Sequence, residues 1–231
     1  GVTLTYADYL RIPELLELQS PRSDGPEHDE LLFIVIHQVY ELWFRQQLHE
    51  TEFLIERLDA DDQISAESTL GRVLTILKTM VAQIDVLETM TPVSFLSFRS
   101  FLASSSGFQS VQFREWEFLL GHKRTRPLEN YPEGSPDRLR LEARLQQPSV
   151  WDTVLRFLGR HGVDVPKEAT DHPVDQATEA CPALQRSLIE MYRSEPRLRG
   201  LCELLVDLDE GIQEWRYRHV KMVERTIGFK Q

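Results

Sequence analysis

Two histidines stand where this sequence otherwise places hydrocarbon. His37 interrupts the run LLFIVIHQVYELWF at residues 31–44, and His219 falls within LCELLVDLDEGIQEWRYRHVKMVERTI near the end of the chain. In that second stretch Leu201, Leu208, Ile212, Trp215, His219 and Met222 recur at helical spacing, which puts His219 on the inward stripe. An imidazole among apolar neighbours needs a partner, because an unsatisfied N–H or lone pair costs about 1–3 kcal/mol. Two kinds of partner are open: a backbone carbonyl or a nearby glutamate, such as Glu41 one turn after His37, or a metal. The sequence has no HExxH motif and no Cys/His cluster, and Cys181 and Cys202 lack CxxC spacing, which disfavours zinc with its three or four close ligands. A haem needs only one or two imidazoles and fits the inventory better. His28, His49, His122, His161 and His172 sit beside charges or in loops and read as surface residues.

Arg99 is the third candidate. In FLSFRSF it follows Phe95 and Phe98, so a guanidinium that never deprotonates emerges from an aromatic wall, an arrangement suited to bidentate capture of a carboxylate. A structural ion pair with one of the 37 acidic residues is the competing reading. SSSG, Ser104 to Gly107, precedes a helical segment whose first N–H groups suit an anion, although N-capping alone accounts for serines there. Tyr6 and Tyr9 of LTYADYL share a helix face with Leu10 nearby, either as ordinary packing or as part of a terminal segment that reaches a neighbouring subunit.

The elements that must hold these residues read as helices throughout. Strand signals are scarce and 3.6-residue periodicity recurs along the chain, which predicts an all-α fold. The opening segment reads as a helical turn broken at Pro13, followed by a polar loop from Ser20 to His28. A long helix is expected from near Asp29 to about Leu58, buried on most sides, and a second from about Ser65 to Met90 with Leu70, Val73, Leu77 and Met80 inward. Thr91 as N-cap and Pro92 at the first helical position start the short helix that carries Arg99. Helix resumes over 108–120, residues 121–137 read as a basic, exposed excursion, and shorter helices follow near 138–147 and 149–161. A loop then runs to about Pro173, and the last helices are expected near 176–194 and 197–227. No repeat or linker divides the chain, so residues 1–231 read as a single domain.

Composition narrows the function classes. The chain has 231 residues, 41% of them hydrophobic, enough for a sizeable core. It carries 37 acidic against 26 basic side chains with no basic cluster, which argues against nucleic acid as a partner. The longest apolar run, Leu31 to Ile36, is far short of the roughly 20 residues that span a bilayer. With no signal segment and only two cysteines, the expectation is a cytoplasmic protein off the membrane, with both thiols reduced.

Four stretches, LTYADYL, HDELLFIVIHQVYELWFRQQLHE, LETMTPVSFLSFRSFLASSSGFQSVQFREWEFLLG and LCELLVDLDEGIQEWRYRHVKMVERTIGFK, together resemble the tryptophan 2,3-dioxygenase family. The similarity covers most of the chain, in the same order. It implies a helical homotetramer with one haem b per subunit that inserts both atoms of O2 across the indole C2–C3 bond of L-tryptophan, giving N-formylkynurenine in tryptophan catabolism by the kynurenine pathway. It makes His219 the proximal ligand of the haem iron and His37 the catalytic histidine on the distal side, beside the indole. It pairs Arg99 with the substrate carboxylate, lines the indole pocket with Phe33 and Phe95, and puts Ser106 and Gly107 near the substrate. Tyr6, Tyr9 and Leu10 would close the pocket of an adjacent subunit, with residues 1–20 reaching across. In the family a glycine- and threonine-containing loop follows the stretch that here ends TIGFKQ and closes over the substrate; a chain without it is expected to hold tryptophan weakly. Two alternatives stand beside it: a haem monooxygenase of secondary metabolism acting on tryptophan or a modified tryptophan, and a haem-binding sensor without turnover, in which a carboxylate clamp at Arg99 has no purpose.

Overall fold

The computed structural model describes residues 3–102 and 109–228. Thr5 opens helix α1 (Tyr6–Leu10) with a capping box: its side chain accepts from the Asp8 N–H while Asp8 reaches back. The chain then reverses at Arg11, in the left-handed region with φ 53°, and starts α2 (Ile12–Leu16) with Pro13 in its first turn. The break expected at Pro13 therefore lies two residues earlier. A proline in the first turn gives up an N–H that has no helical partner there, so Pro13 begins a helix instead of ending one.

Two long helices follow, α3 (His28–Asp59) and α4 (Gln63–Leu87), joined by a three-residue turn that Asp62 closes by capping Ser65 N. Thr91 caps α5 (Pro92–Arg99) through Ser94 N, as the sequence indicates. Then come α6 (Val111–Leu119), α7 (Pro136–Leu145), α8 (Val150–Arg160), a single turn α9 (Lys167–Thr170), α10 (Pro182–Ser194) and the long α11 (Pro196–Ile227). No β-strand occurs among the described residues, and the fold is all-α in a single domain.

The core forms where α3 and α11 both pack on α4, with α6 and α8 against α3 and α5 against both α3 and α11. Leu58, Leu70, Leu77, Met80 and Trp116 are buried within it. Buried hydrogen bonds set the register between helices. Gln47 Nε2 donates to the Val73 carbonyl at 3.0 Å, the Tyr40 hydroxyl to the Met80 carbonyl at 2.8 Å, and Trp116 Nε1 to Thr51 Oγ1 at 3.0 Å. On the other face of α4, a Cβ added at Gly211 would lie 2.7 Å from Leu77 Cδ2. The missing side chain lets α11 approach α4 that closely.

Several expectations need correction. Helix α3 is buried or half-buried around most of its circumference, but part of its apolar surface is not covered: Leu31, Val35 and Leu42 are exposed on one stripe, Leu42 at 54%. Residues 121–137 are not a free excursion. Lys123 is buried and its ammonium donates to the carbonyls of Leu145 at 2.9 Å and Gln147 at 2.5 Å, closing the C-terminal end of α7. Burial pulls its pKa down to about 8. Leu128 and Tyr131 join Phe118, Leu141 and Leu145 in a satellite core. Helix α10 starts at Pro182 instead of 176, and α4 ends at Leu87 instead of Met90. His172 is half-buried and pairs with Asp152 at 3.0 Å, so it is not a surface residue. Leu70, fully buried in the main core on α4, tests the packing: Leu70→Ala is expected to lower unfolding free energy by about 2–5 kcal/mol in chemical denaturation, and a loss below about 1 kcal/mol would show that the core around it is not close-packed.

Candidate functional site

Helices α3 and α11 bring His37 and His219 to one cavity of about 380 Å³, lined also by Tyr40, Phe44, Phe113, Trp215 and Met222. His37 Nδ1 lies 2.7 Å from the Phe33 carbonyl one turn earlier. A carbonyl oxygen only accepts, so Nδ1 carries the hydrogen, and in the neutral ring Nε2 keeps the lone pair. The Phe33 ring packs on His37 with centroids 4.1 Å apart, and α5 extends this aromatic wall, with Phe95 at 5.8 Å and Phe98 at 5.6 Å from Phe33. His219 stacks on Trp215, one turn before it, at 5.2 Å and 11°. Trp215 is held in turn by Phe44 at 5.8 Å and Phe113 at 4.8 Å.

Burial lowers the pKa of both histidines. For His37 it outweighs the Phe33 carbonyl and Glu41, which favour the proton. For His219 it is reinforced by His37 and Arg114 nearby. Both rings are therefore neutral at neutral pH, and neutral imidazole is the form that ligates iron. Among the described residues no group of three His, Cys, Asp or Glu side chains is placed to hold a bare metal ion. The donor set thus fits a haem, which asks the protein for one or two imidazoles.

One side of the cavity is charged. Arg114, Arg124 and Arg216 all line it and all reach Glu117, Arg114 at 2.5 Å and Arg124 at 3.4 Å. The sequence reading passed over these residues, because charges on helices ordinarily face water. The one available signal was Arg216 standing one turn before His219. A larger cavity, about 740 Å³, adjoins this one and shares Phe113, Glu117 and Arg216 with it, but neither histidine lines it.

The other sequence candidates are spread more widely. Arg99 ends α5, one turn after Phe95, and is exposed. It does not line the histidine cavity, and no ion pair to it forms among the described residues, so the competing ion-pair reading finds no support. Ser106 and Gly107, with the SSSG motif, lie outside the described residues. Tyr6 and Tyr9 are 77% and 73% exposed, and Leu10 is exposed beside them; none of the three lines the cavity. The same N-terminal stretch is nonetheless tied to α3 beside His37: Gln38 Nε2 donates to the Leu18 carbonyl at 3.0 Å, and Gln19 Nε2 donates to Gln38 Oε1 at 2.7 Å.

Fold and cavity together define an all-α protein that presents two neutral imidazoles to an aromatic-walled ligand site. More particularly, the chain belongs to the tryptophan 2,3-dioxygenase family: a family model of that description matches residues 1–161. A protein named tryptophan 2,3-dioxygenase from Herpetosiphon aurantiacus is 59% identical over 228 residues, covering 99% of this chain and 87% of its own length. One from Anaeromyxobacter sp. is 53% identical over 235 residues, covering 100% of this chain and 86% of its own. One from Bordetella pertussis is 41% identical over 231 residues, covering 99% and 81%. These matches extend past residue 161, where the family model stops, and take in α11. They bear out the resemblance seen in the four sequence stretches.

The two depressed histidines make haem-free stability depend on pH. Below the ordinary value of 6.5 the unfolded chain binds protons that the folded rings still refuse. Stability is therefore full above that value and falls with pH until the folded rings also protonate. The thermal midpoint of the haem-free protein is expected to drop between about pH 7.5 and 5.5, and to drop less in a His37→Gln, His219→Gln double variant. Equal drops would show that neither ring is held neutral by the fold.

Proposed function

We propose that this protein is a haem-dependent tryptophan 2,3-dioxygenase: it inserts both atoms of O2 across the indole C2–C3 bond of L-tryptophan to give N-formylkynurenine, in tryptophan catabolism by the kynurenine pathway. The observation that carries this reading is the shared cavity of His37 and His219 in a chain of this family. His219 holds the iron of haem b, one per subunit. When bound, the haem supplies the binding and activation of O2.

The chain's own residues do the positioning. Arg99 pairs with the tryptophan carboxylate and sets its orientation. Its exposure supports this role, since no ion pair spends the guanidinium on a neighbour among the described residues. Phe33 and Phe95 pack against the indole, and Ser106 and Gly107 lie near the bound amino acid. His37 commits its Nδ1–H to the Phe33 carbonyl, so Nε2 faces the substrate as an acceptor for the indole N–H. A ring held neutral by burial sets polarity and position more than it relays an essential proton. The C2–C3 bond breaks, both oxygens stay in the product, and no external reductant is consumed in turnover. The indole is itself electron-rich, so no acid/base dyad is needed.

Tyr6, Tyr9 and Leu10 close the pocket of an adjacent subunit in a homotetramer. Their exposure in the single chain and the apolar stripe on the outside of α3 support that assembly. No helix among the described residues is long and apolar enough to cross a membrane, in keeping with a cytoplasmic enzyme built from one haem-binding domain over residues 1–231.

The direct test is to supply ferrous, haem-loaded protein with L-tryptophan and O2 and to follow product absorbance and mass. N-formylkynurenine, heavier than substrate by two oxygen atoms, is expected; a gain of one oxygen, or no product, refutes the reading. His219→Ala is expected to abolish haem retention, and retention at the parent level would refute the ligand assignment. Arg99→Ala is expected to leave the Soret band unchanged and weaken tryptophan binding roughly 10- to 100-fold, the worth of a charge-assisted hydrogen bond. Unchanged affinity would remove Arg99 from the site.

A further inference from the structure

The cavity beside His219 holds more positive charge than its own carboxylates need. The side chain of Glu117 is 4% exposed, and a buried carboxylate requires a counter-charge, but a single guanidinium meets that requirement. Three converge on it, from Arg114, Arg124 and Arg216. The other acid lining the cavity, Glu41, is held separately by Gln112, whose amide nitrogen lies 2.9 Å from its carboxylate. Arg114 is also nearly buried, at 14% exposure, and its Nε has no hydrogen-bond partner among the described residues. A buried donor left in that state costs free energy until an acceptor arrives. His122 Nε2 accepts from Arg216 Nη1 at 2.6 Å, which fixes the plane of that guanidinium. Ser110, the N-cap of α6, lines the same cavity, so the positive end of the helix dipole adds to the same sign.

We propose that Arg114, Arg124 and Arg216 form the receptor for the two propionate carboxylates of the haem, with Glu117 as the positioning residue that gathers the three guanidiniums before the ligand arrives. This rests on the haem reading above. It adds a second anchor to the His219 ligand: the imidazole takes the iron, and the guanidiniums take the anionic edge of the macrocycle by charge-assisted hydrogen bonds. Preorganisation by Glu117 spares the ligand the ordering of three long side chains.

The test titrates the haem-free protein with ferric protoporphyrin IX and, separately, with its dimethyl ester, which keeps the iron and ring but loses both negative charges. Binding is read from the Soret band and from quenching of tryptophan fluorescence. The parent protein is expected to bind the diacid at least about tenfold more tightly than the diester. Arg114→Gln and Arg124→Gln are each expected to weaken diacid binding by about tenfold while leaving diester binding unchanged. The Arg124 side chain is largely exposed, so its variant keeps the test available if Arg114→Gln fails to fold. Equal affinity of the parent for the two porphyrins, or variants that weaken both alike, would overturn the propionate receptor and leave the haem reading standing. No Soret band with either porphyrin would overturn the haem reading, and this receptor with it.

Discussion

Helix α4 gives the histidine cavity only its last residue, Leu87, yet the whole cavity depends on it. Both histidine-bearing helices lie against α4, so the spacing between His37 and His219 is set by how closely each packs there. On one side Tyr40 and Gln47 bond to the carbonyls of Met80 and Val73; on the other, Gly211 lets α11 settle onto Leu77. A backbone carbonyl within a helix cannot slide relative to its neighbours, so the first pair of contacts locks the register of α3 as well as its distance. Across the cavity, Trp215 meets Tyr40 and Phe44 directly, which makes α3 and α11 a closed pair around α4. Close-packed interiors transmit small volume changes over such contacts. A change of a few methylenes in α4 therefore reaches the site without touching a residue in it.

Charge is arranged on the same plan. The chain carries a formal net charge of −11, yet the histidine cavity is lined by three arginines against two glutamates. Like charges this close repel, and the cluster is tolerable because Glu117 sits among them almost fully out of water, where its interaction with each guanidinium is screened least. The same device recurs nearby, away from the histidines: buried Glu115 holds Arg140 at 2.5 Å and Arg144 at 3.6 Å, tying α6 to α7. Both glutamates lie on α6, so one short helix both anchors the satellite core and carries the charged side of the cavity.

How much of this was legible in the sequence follows from what helical periodicity encodes. Periodicity locates an apolar face, and so α3, α4 and α11 were readable to within a few residues, as were Thr91 and Pro92 at the start of α5. It also exposes an imidazole on such a face, which is why His37 and His219 stood out. It says nothing about which neighbour covers a face. The exposed stripe of α3 was therefore read as buried. Nor does it separate a lysine in water from one that spends its ammonium on carbonyls. Lys123 sits in a run of basic residues and looked like surface, although it closes the end of α7. Arg114, Glu117 and Arg216 were missed for the same reason, since their burial comes from helices far apart in the chain. Arg11 was hidden differently: the left-handed residue carries no glycine signal, and the proline two positions on drew the break to itself.

The nearly continuous hydrophobicity of residues 31–44 also finds its physical account here. An ordinary surface helix needs one apolar stripe, and a helix apolar all round must be covered all round. Helix α3 has two apolar surfaces. Ile36, Tyr40 and Phe44 face inward to the core, while Leu31, Val35 and Leu42 form a second stripe that the single chain leaves open. The few polar residues between them are committed, Gln38 to the Leu18 carbonyl and the Gln19 amide, and Glu41 to Gln112. His37 lies beside Ile36, at the edge of the inward surface, on the same rigid helix that presents the open stripe. In the proposed tetramer, covering that stripe acts on α3 directly, while Tyr6 and Tyr9 lie on α1, in the stretch that Leu18 and Gln19 tie to Gln38 of α3. Assembly then bears on the orientation of His37 through α3 itself, because a helix packed on α4 cannot shift its outer face without moving its inner one.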